Sequence, residues 1–352
     1  MSWLDRNCGQ GVYVVGRRWT FPEVAQVLEE RYGLAEMRIS LPESSPLDDH
    51  RLTEFGRWTV QPAEGGPVRH LVQYARTHES VRAAENVWHM AAYLNAAADV
   101  QAGVPTTSVR ADRDGALVST AAGQSPCVLI APPPGARADR CPDPVAGVAL
   151  ARTHQVLAVY DRPARRESAW WEASGDEVLA THETAAAAVP ARSGDLSAFL
   201  RSLNEWVRGR LEDLRAGVTP GEEQALHGAF VAERLYWRPS DMCGVGEPAP
   251  CTGTPGWELA RLAFPLRLLA DSETWLEKAT ALLIAYRNQH PAALTPAALA
   301  STMRTATLDL LTRPAATAQV WAQRDAALRT LLSHLPRAEE LLRAALSRRI
   351  GS

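Results

Sequence analysis

Lysine is almost absent from this chain. Among 37 basic residues the only lysine is Lys278. The N-terminal half therefore offers no amine to a mechanism that needs one, and arginine carries the positive charge, as a GC-rich genome favours. The net charge of -3 excludes the strongly basic surface of a nucleic-acid-binding protein. No apolar run approaches the roughly 18 residues of a membrane span. The first residues, Met1 to Asn7, lack a basic start and an apolar stretch, so no secretory signal is expected. The five cysteines, Cys8, Cys127, Cys141, Cys243 and Cys251, are odd in number and scattered. Reduced thiols in a cytoplasm are the expectation. Metal-site spacing is missing too. Cys243 and Cys251 are separated by seven residues, His78 and His89 stand eleven apart on one predicted helix, and His70 and His154 add no chelating pattern. Gly123-Gln124-Ser125 lacks the context of a nucleophile elbow. We expect no metal, no cofactor, no nucleic acid and no membrane partner.

What is present is enough to build a large core. With 352 residues, 46% of them hydrophobic, the chain suits one large domain or two lobes. Thr20-Phe21-Pro22-Glu23 reads as a helix start, with Thr as N-cap, Pro in the first turn and Glu closing a capping box; the helix should stop near Gly33. Residues 57–61 and 68–75 alternate apolar and polar and predict strands, joined by the turn Glu64-Gly65-Gly66-Pro67. Residues 78–98 hold helical spacing. Two short strands follow, near 117–120 and 127–131. Pro132-Pro133-Pro134-Gly135 is a stiff breaker, placed at a boundary between residues 1–131 and 132–352. Beyond it the spacing predicts helices over 145–159, 196–214, 257–269, 275–289, 296–311 and 315–348. Residues 162–194 are alanine-rich, charged and poorly periodic, and read as an irregular insertion or a weak helix.

One stretch stands out, His227-Gly228-Ala229-Phe230-Val231-Ala232-Glu233-Arg234, followed by the apolar Leu235-Tyr236-Trp237. It has the frame H-G-D-x-x-x-x-N of a kinase-type catalytic loop. Gly103-Val104-Pro105, Asp114-Gly115, Val128-Leu129-Ile130 and Pro134-Gly135 precede it, as does Leu150-Ala151-Arg152-Thr153-His154; Trp257-Glu258-Leu259-Ala260 comes after. In that order and spacing the motifs resemble the aminoglycoside phosphotransferase and homoserine kinase family of bacterial small-molecule kinases, over roughly residues 20 to 300. The resemblance implies an α+β, bilobal protein-kinase-like fold. Its small mixed α/β N-lobe would carry an antiparallel sheet and one long helix, and its larger C-lobe would be mainly helical.

Phosphoryl transfer needs a lysine on the phosphates, a helix glutamate to position it, an aspartate to orient the acceptor hydroxyl, and an asparagine and second aspartate on magnesium. In the frame of the resemblance Gln73 occupies the lysine's place and Glu85 that of the helix glutamate; without a lysine, Glu85 would turn to an arginine such as Arg76. Ala229 replaces the acceptor-orienting aspartate. Arg234 replaces the asparagine and would repel a metal, although its planar fork suits a phosphate or carboxylate. His227 is expected to pack beneath the loop, with general-base chemistry the lesser reading. About a dozen residues past Arg234, where the second aspartate belongs, Asp241 and Glu247 stand among Gly and Pro. The acidic Ser45-Pro46-Leu47-Asp48-Asp49-His50 fills the region of the phosphate loop.

These losses together imply a pseudokinase whose catalytic residues are unknown. Its binding candidates are Gln73, Glu85, Arg234, Glu247 and the pair Trp170-Trp171, two of eleven tryptophans, which would line a groove or pack the insertion onto the helical lobe. The expected partner is a peptide substrate or a partner protein of a biosynthetic complex in bacterial specialised metabolism. Dehydration or ring closure in thioamitide or class V lanthipeptide-type maturation is the leading case. The alternatives are an active ATP-dependent small-molecule phosphotransferase with displaced site residues and a non-catalytic scaffolding subunit.

Overall fold

The computed structural model describes residues 17–42, 54–101, 103–120, 125–137, 143–162, 165–166, 172–187, 194–218, 221–239, 241–265, 274–313 and 318–350. The chain forms two compact units. The first comprises Met1–Ala136 with Tyr236–Arg238 and Cys243–Pro250; the second comprises Arg137–Leu235, Pro239–Met242 and Cys251–Ser352. No helix among the described residues is long and apolar enough to cross a membrane.

The first unit opens with α1 (Phe21–Tyr32), whose capping box joins Thr20 and Glu23 as the sequence predicts and whose C-cap is Gly33 in the left-handed region. A five-stranded sheet follows, built from β1 (Met37–Ser40), β2 (Glu54–Pro62), β3 (Arg69–Tyr74), β4 (Ser108–Arg110) and β5 (Cys127–Ala131) in the order β1-β2-β3-β5-β4. Every neighbouring pair is antiparallel. Side-chain alternation along the strands divides the core. Trp58, Val60, Leu71, Cys127 and Leu129 face Val24, Val27, Leu28 and Tyr32 of α1. Val72, Tyr74, Val128 and Ile130 face Ala84, Trp88 and Ala91 of α2 (His78–Gln101). Each fully buried large side chain here contributes roughly 1.5–3 kcal/mol. Two predicted details differ. Residues 117–120 form only an isolated bridge, Ser119 to Cys127, after a tight turn in which Asp112 Oδ1 accepts the Asp114 and Ala116 amides. The short β1 and β4, too brief for a periodic signal, complete the sheet.

The second unit is mainly helical. After the short β6 (Ala136–Arg137), α3 (Pro144–Leu157) starts at an Asp143 N-cap whose carboxylate accepts the Val145 amide at 2.8 Å. The chain continues through β7 (Arg165–Arg166), α4 (Gly175–Ala187), α5 (Gly194–Ala216), β8 (Gln224–Leu226), β9 (Leu235–Trp237), β10 (Met242–Val245), β11 (Cys251–Gly253), α6 (Pro255–Ala263) and α7 (Trp275–Gln289). It ends with α8 (Pro296–Ala300), α9 (Thr302–Thr312) and α10 (Ala318–Ile350). Within the 162–194 stretch, α4 is a regular helix where an irregular insertion or weak helix was expected. The predicted 296–311 helix is broken at Ser301 into α8 and α9. α3 packs along α7 at a distance only glycine permits, since a Cβ on Gly147 would meet the Leu282 carbonyl oxygen at 2.5 Å. α9 is buried although rich in threonine, because Thr302, Thr305, Thr307 and Thr312 each return their hydroxyl to a carbonyl of the preceding turn.

Candidate functional site

The loop between β8 and β9 carries His227 to Arg234. Gly228 adopts φ +74, a left-handed conformation that suits glycine. Its carbonyl accepts the Arg261 guanidinium at 3.0 Å. His227 is fully buried. Its Nδ1 accepts the Ala229 amide at 3.3 Å and its ring meets Phe230 edge-on.

Beneath the loop runs a buried chain of hydrogen bonds. The Phe230 amide donates to Glu258 Oε1 at 3.0 Å, and Glu258 Oε2 lies 3.1 Å from His154 Nε2. His154 Nδ1 lies 2.8 Å from the Tyr286 hydroxyl. A carboxylate can only accept, so Nε2 carries the proton toward Glu258. Burial is the largest influence on Glu258 and pushes its pKa up. The hydrogen bond and charge of His154, the proximity of His227 and the Phe230 amide outweigh it, holding the carboxyl below the usual range. The Tyr286 phenol is pushed up by burial and by the Glu258 charge. Beside this chain, Trp257 donates its indole N–H to Asp309 at 2.8 Å. Arg261 and Arg313 hold their guanidiniums 4.8 and 4.7 Å from the Trp257 ring centre.

Two other side chains of the loop differ in kind from this network. Ala229, 1% exposed, presents a methyl group, which neither accepts a proton nor orients a hydroxyl. Arg234 is half-buried at the end of a 3-10 turn spanning Ala232–Arg234.

In the first unit, Gln73 is fully buried and lies on the α1 side of the sheet, between Leu71 on that face and its cross-strand partner Cys127. Its amide nitrogen donates to the Arg17 carbonyl at 2.8 Å and its oxygen accepts the Trp19 amide at 3.1 Å. Glu85 is exposed on α2, on the other side, and no ion pair joins it to Arg76 among the described residues. The alignment with the family's lysine and glutamate therefore does not bring Gln73 and Glu85 together.

The cation on the α2 side of the sheet is one the sequence reading missed. Arg57 of β2 pairs across the sheet with Val72 and is buried. It grips Glu247 in bidentate fashion, at 2.7 and 2.9 Å, and Glu54 at 2.9 and 3.3 Å. Burial opposes its charge, yet the two carboxylates hold its pKa well above the usual value. The segment bearing Glu247 is fixed in the same unit by the Val245 amide on the Pro105 carbonyl and by the Thr106 hydroxyl on the Gly246 carbonyl. One signal for Arg57 was legible, a lone basic residue in an alternating strand of a chain that has no lysine there to compete with it. Trp170 and Trp171 lie outside the described residues. Among the described residues no three His, Cys, Asp or Glu side chains gather as a metal site would require, and Cys127 is a buried thiol pushed up to about 12 by desolvation.

No protein-family model matches the sequence, and no curated protein matches it significantly. Solved structures do match. A microcompartment-associated aminopropanol kinase superposes with TM-score 0.59 at 14% identity over 92% of this chain and 99% of its own. A spectinomycin phosphotransferase, solved with ADP and spectinomycin, gives 0.55 at 9% over 93% and 95%. A choline kinase from Cryptosporidium parvum Iowa II gives 0.55 at 8% over 93% and 98%. At such identities the likeness defines the fold. It is the kinase-like α+β fold of small-molecule phosphotransferases, with a sheet-bearing N-terminal part and a helical C-terminal part.

Proposed function

We propose that this chain is a pseudokinase, a catalytically degenerate protein of the phosphotransferase fold that does not transfer phosphate from ATP. The observation that carries the reading is the Arg57 clamp. Glu247 stands about where the fold would carry its second metal carboxylate, and both its oxygens are engaged by a fixed guanidinium. Cation and carboxylate neutralise each other instead of holding phosphate and metal. Ala229 and Arg234 support the same conclusion from the loop.

The positive role we assign is peptide handling in bacterial specialised metabolism, with the chain binding a precursor peptide and assisting its dehydration or ring closure, as in thioamitide or class V lanthipeptide-type maturation. Such a step can rest on holding two reacting groups in register rather than on a phosphoryl donor. The support is the resemblance to kinase-like proteins together with the loss of the parts that phosphate transfer requires. Incubation with a dehydrated precursor peptide, followed by mass and retention analysis, tests it. The reading predicts a retention change at constant mass, as addition of a thiol across a dehydrated residue gives; an unaltered, unbound peptide sinks it.

A second reading, an active small-molecule phosphotransferase with displaced residues, draws on one observation: a buried cation does exist on the α2 side of the sheet, moved from β3 to β2 as Arg57. Phosphorylation of a small-molecule panel by ATP would favour it.

A further inference from the structure

Gln73 makes with residues 17 and 19 the pair of hydrogen bonds that a neighbouring strand would make. Its amide nitrogen takes one backbone carbonyl and its oxygen takes the backbone N–H two residues on. A buried side-chain amide used this way recognises an extended backbone whatever its sequence. The residues flanking the bracket add side-chain recognition. Trp19 stacks on Trp58 with ring centres 6.0 Å apart. The Arg18 guanidinium lies 5.3 Å from the Trp58 ring centre and also reaches the Arg57 carbonyl. Arg17 pairs with Glu23. Gly56 makes room for this arrangement, since a Cβ there would meet the Trp58 ring at 2.4 Å and Arg18 at 3.1 Å. Thr20, the last residue of the segment, is extended, with φ -80 and ψ 163. The α1-side face of β2 and β3 is thus covered, beside α1, by a short strap of sequence Arg-Arg-Trp-Thr, held by its backbone at one buried residue.

We propose that the Gln73 bracket is a peptide-docking site occupied by the chain's own Arg17–Thr20 strap, and that an extended peptide with a basic-basic-aromatic sequence competes for it. This rests on the peptide-handling reading above and gives it a place. Tethering sets the strap's effective concentration at about millimolar, so an external peptide binds weakly until the strap is loosened.

The test uses the full chain and a fluorescein-labelled hexapeptide of sequence Val-Gly-Arg-Arg-Trp-Thr, followed by anisotropy. Trp19→Ala weakens the strap and leaves the bracket intact, so it should tighten peptide binding about tenfold. Gln73→Leu removes the bracket and should abolish binding in both the wild-type and the Trp19→Ala background. Circular dichroism and thermal melts identify a variant that has lost its fold. Glu23→Gln, which removes the Arg17 partner while sparing the core, then provides the second receptor variant and should weaken peptide binding about threefold in the Trp19→Ala background, where the strap is already loosened. Opposite effects at positions 19 and 73 support the site; equal binding by Gln73→Leu, or no gain with Trp19→Ala, overturns it. A precursor peptide that is modified equally well by Gln73→Leu would overturn the site and leave the function standing. Hexapeptide binding without any peptide modification would do the reverse.

Discussion

Two parts of the loop from His227 to Arg234 differ in how they are held. Below it, Tyr286, His154, Glu258 and the Phe230 amide form an unbroken buried chain, and Arg261 braces the Gly228 carbonyl. Ala229 and Arg234, which the resemblance aligns with a kinase's aspartate and asparagine, bring a methyl and a guanidinium to the same loop. The underside decides whether the chain folds, because an unpaired group there costs free energy whatever the protein does. Ala229 and Arg234 take no part in that chain of hydrogen bonds, so on the pseudokinase reading proposed above they can depart from what phosphate transfer requires while the buried bonds hold the loop.

The largest effect should come from breaking the underside. Glu258→Ala strands His154 and the Phe230 amide in the core and should lower stability by about 3–5 kcal/mol, read as a fall in the urea midpoint at unchanged slope. An unchanged midpoint would remove the contrast on which this account stands. The sign of its pH dependence follows from the depressed Glu258 pKa. The carboxylate stabilises the fold fully above its unfolded value and loses that contribution as pH falls through the folded one, so Glu258→Gln should melt with a flatter acid limb.

The Arg57 clamp should come next. Arg57→Met leaves the partly buried Glu54 and Glu247 without their cation and should cost about 2–3 kcal/mol. Adding Glu54→Gln and Glu247→Gln should recover most of that loss, because the residual cost is that of two unpaired carboxylates. Failure of the triple variant to recover would mean the guanidinium acts by packing alone.

Ala229→Asp sharpens the contrast from the other side. Placing an unpaired carboxylate at a buried methyl should cost about 3 kcal/mol, and on the pseudokinase reading ATP turnover should stay at background, since one added aspartate supplies neither cation nor metal ligands. Measurable phosphoryl transfer in this variant would show that the rest of the machinery is intact.

The smallest effect lies in the first turn of α1. Glu23, held to about 2 by the Arg17 side chain, then by Thr20, stabilises above its usual value of 4.5 and loses that contribution as pH falls through about 2. The Tm of Glu23→Gln should converge on that of the wild type as pH is lowered across this window. Parallel curves would exclude the capping role.

What could be read from the sequence follows from how local each signal is. The α1 capping box, α2 and α7 are written in contiguous residues, and the structure has each of them. Glu258 and His154 were visible as parts of motifs, but their union through Tyr286 links residues more than a hundred positions apart and leaves no local trace. Gln73 was aligned by strand position, and the pleat put it on the α1 face. A shift of one residue along a strand moves a side chain to the other side of a sheet, and no spacing argument resolves that without the sheet's register. Arg57 was missed because its two carboxylates lie on different segments, Glu54 three residues away and Glu247 on the far side of the chain. The pair Trp170-Trp171 belongs to a stretch outside the described residues.

The most direct test of the central claim is calorimetric titration of the purified chain with ATP and Mg²⁺, paired with a thermal melt at saturating nucleotide. The account predicts no heat of binding and no movement of the Tm. Micromolar binding accompanied by a rise of about 5 °C, as a ligand at a hundred times its Kd would give, would contradict it.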